Sequence, residues 1–399
     1  MNREAGMVFY NGTVFTPGGL MQGGFRVENG RFAEFLPGAS SGDEDLKGAR
    51  VIPGLVDIHT HGNSGADFSD GTLEGLKTMA AYLARRGITA FLPTSVTLPY
   101  EKLACAFRTA QVFAGLQRTD GSLDSGESGA AHCPEDVRTG YARVLGVRME
   151  GPFLSKERKG AQNGAYLRNP DYEAFRALYD GCGGGIRIVD IAPELPGAAD
   201  FAAQAGAYCT VSAGHTDADY REACAFFDAG AAHVTHLFNA MRPFRHREPG
   251  VIGAASDREH VTAELICDGL HVHPSAVRAA FRLFPGRLCL VSDALRCCGM
   301  PDGAYELGGQ QVLLRKGEAR LPDGTLAGAS MDLCEGLRNA IRFGIPEETA
   351  IRAATILPAR IAGADALVGS VEPGKYADFL VLGVDYNPER VYMGGVRIQ

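Results

Sequence analysis

His59 and His61 stand two residues apart at the end of the apolar run that begins at Gly54, so on an extended chain both imidazoles project to one face. That is the spacing of a bidentate metal clamp. A lone His-x-His is common in proteins that bind no metal, and by itself it carries little. Four further groups of the same chemistry end other apolar runs, however: Glu150, His215, His236 and Asp293. Core packing does not explain six such side chains at equivalent places. Nitrogen and carboxylate ligands without thiolate suit one or two divalent ions of the Zn, Fe, Mn or Co type. Such an ion lowers the pKa of a coordinated water toward neutrality, and Asp293 beside it would accept the proton and pass it to a leaving group. The chemistry implied is metal-assisted hydrolysis.

Positioning these groups together requires a closed array of strands. Eight candidate strands begin at Gly54, Ile88, Val144, Ile186, Tyr208, Ala232, Val261 and Leu288. Helical stretches lie between several of them: 73–86, 101–116, 171–179, 217–230 and 275–284. Alternation of this kind predicts an α/β protein with a parallel (β/α)8 barrel, whose chemistry sits at the C-terminal strand ends. An open doubly wound sheet is the competitor, but no Gly-x-Gly-x-x-Gly opens a helix after the first strand. A hairpin is expected over 307–321 and closing helices over 331–343 and 346–361.

Both chain ends differ from this pattern. Residues 1–53 read as short strands, with Asn11-Gly12 and Asn29-Gly30 as hairpin turns, and 365–399 are also strand and turn. Together they predict a small β-sandwich domain beside a barrel spanning 54–364. The polar segment from Gln117 to Tyr141 reads as a mobile surface loop.

Composition narrows the partners. Of 399 residues, 45% are hydrophobic and 22% charged, and the net charge is −8, which gives no reason to expect nucleic acid. No apolar run is long enough to span a bilayer. Ten cysteines occur without a Cys-x-x-Cys pair, which fits a cytoplasmic, reduced protein; Cys297-Cys298 reads as structural. The loop after His236 carries Asn239, Arg242, Arg245, His246 and Arg247, a local basic cluster in an acidic chain that suits a small anion. A solvated basic loop is the bland alternative. Of the remaining histidines, His233 is expected to face away from His236 and pack on a helix, and His132 and His260 to be solvated. His271 and His273 are expected to share a face, available to substrate or to structure.

Several stretches carry a resemblance: Pro53–Gly62, Met149–Leu154 with Lys159–Asn163, Ser212–Asp217, Thr235–Met241, Arg247–Gly253, Asp268–His271, Val291–Ala294 and Gly324–Gly328. On these the chain resembles the amidohydrolase superfamily and, within it, the N-acetylglucosamine-6-phosphate deacetylases, over nearly its whole length. The resemblance implies that Glu150, His215 and His236 hold the principal metal, and that His59 and His61 allow a second with Glu150 bridging. It makes Asp293 the general base and acid. It places the sugar phosphate on Asn239, the Ala240 amide and Arg247, with His271, Ala161, Gln162, Leu326, Ala327 and Gly328 also on substrate. Gln162 stands where some members have histidine, so it is expected to position rather than to carry a proton. The implied assembly is a homodimer in which the neighbouring subunit completes the phosphate site. The implied reaction is deacetylation of N-acetyl-D-glucosamine 6-phosphate. The galactosamine epimer, a cyclic-amide hydrolase and a non-catalytic barrel are the rivals. The cyclic-amide enzymes often bridge two metals with a carbamylated lysine, and no lysine ends any of the predicted strands.

Overall fold

A computed structural model describes residues 6–117 and 140–399. The segment expected as a surface loop therefore lies almost wholly outside the described residues, together with His132. Eight parallel strands form the barrel: Leu55–Thr60, Ile88–Ser95, Val147–Met149, Ile186–Ile191, Thr210–Ala213, His233–Val234, Thr262–Ile266 and Leu288–Val291. Each pairs with the next in chain order. The last meets the first through a parallel bridge between Thr60 and Ala294, where the Asp293 N–H donates to the His59 carbonyl at 2.8 Å. The first two strands are buried at every position, as expected for strands covered on both faces.

Local chemistry sets the helix boundaries. Thr72, Asp171 and Asp332 cap the helices Leu73–Arg85, Tyr172–Gly181 and Leu333–Arg342. The helix expected from 217 starts only at Tyr220, because Asp219 forms a capping box with Glu222 while Asp217 turns away to pair with Arg158 and Arg242. The single helix expected over 346–361 is broken at Thr355 into Glu347–Ala354 and Ile356–Ile361. Pro358 then falls in a first helical turn, where its missing N–H is not needed. Two short helices, Ala198–Ala205 and Gly250–Ser256, complete the alternation and were not foreseen.

Other departures have equally local causes. The third predicted strand divides into Arg143–Val144 and Val147–Met149 around Gly146, whose φ of 144° and approach to the Gly185 carbonyl suit glycine alone. The hairpin expected over 307–321 is a three-stranded antiparallel unit, Gly303–Leu307, Gln310–Arg315 and Glu318–Arg320.

Strands from both chain ends share one eight-stranded sheet, with Ile52 opposite Leu380 and Val14 opposite Val51. It folds over a core in which Phe9, Phe25, Phe32, Phe379 and Tyr392 stack or meet edge to face. Asn29-Gly30 is the expected hairpin turn. Asn11-Gly12 is instead a bulge inside the strand Met7–Thr16, with Asn11 at φ 57°. An Asn-Gly pair meets the conformational demand of a bulge as well as that of a turn, so its type alone did not separate them.

Candidate active site

The six strand-end groups converge at one mouth of the barrel. Glu150 follows the third strand and is the hub: its Oε1 lies 3.2 Å from both His215 Nε2 and His236 Nε2 and 3.5 Å from His59 Nε2, while its Oε2 lies 3.3 Å from His61 Nε2. Asp293 Oδ1 approaches His61 Nε2 at 3.1 Å and His59 Nε2 at 3.4 Å. All six residues are buried. His215, His236 and Asp293 have left-handed φ values of 48°, 29° and 50°. Each is the kink by which the chain leaves its strand and turns a side chain inward, a conformation costing roughly 1–2 kcal/mol for a residue with a Cβ.

The donor set fits a cation. His61 Nδ1 lies 3.1 Å from the Thr94 carbonyl and His215 Nδ1 lies 2.9 Å from the Arg158 carbonyl. Carbonyls only accept, so both rings carry a proton on Nδ1 and turn Nε2, the lone-pair nitrogen of the neutral ring, to the centre. His59 Nε2 is buried with no hydrogen-bond partner among the described residues, and the Nε2 atoms of His215 and His236 face each other at 3.2 Å. Lone pairs gathered in this way repel unless a proton or a metal ion lies among them. Two overlapping groups could each hold an ion, His59–His61–Glu150 and Glu150–His215–His236.

Electrostatics agree. Burial alone would push Glu150 and Asp293 up, but the imidazoles around them, His59 foremost, hold Glu150 well below the usual carboxylate range and Asp293 below its ordinary value. Burial alone would push His61 down; donating hydrogen bonds to Asp293 and Glu150 holds it up at about 9. Without a metal, a proton occupies the place a cation would take.

A cavity of about 290 Å³ opens over these groups, near the low end for small-molecule sites. Ala161, Gln162, Asn239, Ala240, His271, Leu326, Ala327 and Gly328 line it, as expected, and Gly160, Leu295, Leu307 and Thr325 join them unforeseen. The Ala240 N–H is taken by no other group among the described residues, while its carbonyl accepts from Thr216. His271 Nδ1 lies 2.6 Å from Asp268 Oδ2 and its Nε2 lies 2.9 Å from the Ala327 carbonyl, so both nitrogens bear protons and the ring is cationic. Burial would lower its pKa, and Asp268 raises it.

Gln162 has both ends of its amide engaged. Its Oε1 accepts from the Thr97 N–H at 2.8 Å and its Nε2 donates to Glu150 Oε2 at 2.6 Å, which orients the central carboxylate.

Arg247 does not line this chain's own cavity; it is exposed, beside Phe244, Arg245 and His246 in a loop at the surface. Two expectations fail. His273 does not share a face with His271, because 271–273 is a bend and not a strand, and His273 caps the helix Pro274–Leu283 from an exposed position. His233 does not pack on a helix. Its Nε2 meets Glu264 at 3.1 Å and its Nδ1 meets the Thr262 hydroxyl at 2.7 Å, because the strand ends at Val234 and alternation does not extend to His236.

The sequence reading also missed a buried polar layer beneath the site. Arg148 pairs with Asp190 through Nε and Nη2 at 3.0 and 2.9 Å and donates to Glu264 and to the Thr235 hydroxyl. Burial alone would push Glu264 up; Arg148 and His59 hold it well below the usual range.

A closed parallel barrel with a histidine–carboxylate centre at its C-terminal mouth defines a class, and sequence comparison agrees. The profile of the amidohydrolase family matches residues 50–398, and the chain belongs to that family. It is 36% identical over 347 residues to the N-acetylglucosamine-6-phosphate deacetylase of Vibrio furnissii, covering 86% of this chain and 82% of that one. It is 32% identical over 347 residues to the N-acetylgalactosamine-6-phosphate deacetylase of Escherichia coli O157:H7, covering 86% of each. The crystal structure of N-acetyl-D-glucosamine-6-phosphate deacetylase from Mycobacterium smegmatis superposes with a TM-score of 0.87 at 32% identity, covering 98% of this chain and 100% of that one.

Proposed function

We propose that this chain hydrolyses the acetamide of N-acetyl-D-glucosamine 6-phosphate to D-glucosamine 6-phosphate and acetate, a step in amino-sugar catabolism. The observation that carries this reading is Glu150 set between His59–His61 and His215–His236, with Asp293 3.1 Å from His61, beneath a small cavity. His59, His61, Glu150, His215 and His236 would hold one or two divalent ions, from among Zn, Fe, Mn and Co. When bound, such an ion supplies polarisation of the acetamide carbonyl and acidification of a water.

The chain's own residues do the rest. Asp293, held ionised, takes the proton of the attacking water and delivers it to the departing sugar nitrogen. Asn239, the free Ala240 N–H and Arg247 take the phosphate, and the His271 cation, with Ala161, Gln162 and Leu326–Gly328, seats the sugar. The exposure of Arg247 supports its acting in a neighbouring subunit's cavity, in a homodimer. The nine described cysteines are free thiols, which suits a reducing cytoplasm. Among the described residues no helix is long and apolar enough to cross a membrane.

Acetate release from the two epimeric N-acetylhexosamine 6-phosphates tests the reading. A higher kcat/KM for the glucosamine compound is expected. A preference for galactosamine, the activity named for the Escherichia coli relative, would reassign the substrate; no acetate from either would overturn the function.

A further inference from the structure

Behind the two histidine groups lies a carboxylate that neither lines the cavity nor belongs to either group. Glu264, midway along the seventh strand, is wholly buried and receives four donors. On Oε1 it takes His59 Nδ1 at 2.5 Å and the His236 backbone N–H at 3.0 Å. On Oε2 it takes Arg148 Nη1 and, at 3.1 Å, His233 Nε2. An ionised carboxylate only accepts, so the His59 proton stands on Nδ1 and its Nε2 lone pair faces Glu150 and Asp293.

The four imidazoles are not held alike. His61 and His215 rest on neutral carbonyls and His236 Nδ1 has no partner among the described residues, whereas His59 rests on an anion. A carboxylate behind a ligating imidazole fixes its tautomer and raises its basicity. Neutralising Arg148 does not account for Glu264, since Asp190 already grips that guanidinium through two hydrogen bonds. Oε1 of Glu264 is given wholly to the two histidines.

We propose that Glu264 is a positioning residue that locks and strengthens His59 as a ligand, so that occupancy of the His59–His61–Glu150 half of the site depends on a side chain touching neither ion nor substrate. This rests on the metal reading of the site.

The test compares metal-free wild type with Glu264→Gln in calorimetric titrations with Zn²⁺, and counts bound ions by elemental analysis. Wild type should bind two ions. The variant should lose roughly 10–100-fold in affinity for one of them and keep the other nearly unchanged, the range measured for outer partners of ligating histidines. Glu264→Asp, which keeps the charge, should recover part of the loss. Should Glu264→Gln not fold, the metal-free wild type, compared with His59→Gln, decides. Its proton NMR spectrum should contain a far-downfield Nδ1–H resonance, assigned by its loss in His59→Gln. Absence of that resonance, two unchanged affinities in Glu264→Gln, or a single bound ion in wild type would each overturn the proposal. Acetate release by wild type reports separately on the deacetylase reading. Failure there with one ion still shed by Glu264→Gln would sink the function and leave the role of Glu264 standing.

Discussion

Replacing Gln162 with leucine separates two roles that the cavity wall leaves superimposed, contact with substrate and orientation of Glu150. Leucine has nearly the same volume and neither hydrogen bond. Thr97 is fully buried and its N–H has Gln162 Oε1 as acceptor, so Gln162→Leu orphans a buried donor and should cost about 1–3 kcal/mol. Glu150 Oε2 keeps His61 Nε2 at 3.3 Å, so it is not orphaned and adds little to that figure. It does lose the 2.6 Å bond that fixes its plane, and with it the geometry shared by four imidazoles. Activity should therefore fall by roughly 10–100-fold, through kcat more than KM. Gln162→Glu should preserve the Thr97 bond and yet place two carboxyl groups in contact, so that one must take up a proton. The assays are denaturant unfolding of the metal-free protein and steady-state acetate release by the loaded enzyme. If Gln162→Leu unfolds like wild type and raises KM alone, the amide serves the substrate and the orientation argument is refuted.

Asp293→Asn should retain bound metal and lose at least about 100-fold in kcat, the low end for removing a general acid–base; near-normal turnover would end the proposed proton transfer. Arg247→Ala should raise KM for the phosphorylated sugar by roughly tenfold or more, the loss of a charge-assisted bond. Because Arg247 is assigned to the neighbour's cavity, mixing Arg247→Ala with Asp293→Asn subunits should restore one competent site per mixed dimer, and no recovery would place the phosphate elsewhere. Asp57 makes a prediction about stability. Burial, against hydrogen bonds from Ser292 and His59, pushes its pKa from 3.8 up to about 6. A raised acid favours the folded state when protonated, an advantage complete below the unfolded value and lost as pH rises through about 6. Asp57→Asn should therefore stabilise the metal-free protein at pH ~7.5, by up to roughly 3 kcal/mol, and change little near pH ~4, as read by denaturant unfolding. Equal effects at both pH values would contradict this.

Much of the fold and site is legible in the chain because the signals are local. Runs of apolar residues buried on both faces mark the barrel strands, and the groups ending them, His59, His61, Glu150, His215, His236 and Asp293, meet because parallel strands in a closed ring bring their C-terminal ends to one rim. A further signal went unread. Arg148, Asp190 and Glu264 are charges within apolar strands, which can be buried only if they find one another, and here they do.

What the sequence determined by itself was the kind of chemistry, since ligand type and strand-end position follow from residue identity and periodicity. Only the tertiary structure decided which groups share a partner. The exposure of Arg247 follows from the path of the loop after His236. His233 turned to Glu264, a partner on the adjacent strand. Gln162 reached Glu150 and Thr97 at once, across loops whose meeting depends on closure of the ring. Side-chain direction beyond a strand's end is set by non-local packing, and local periodicity carries no information about it.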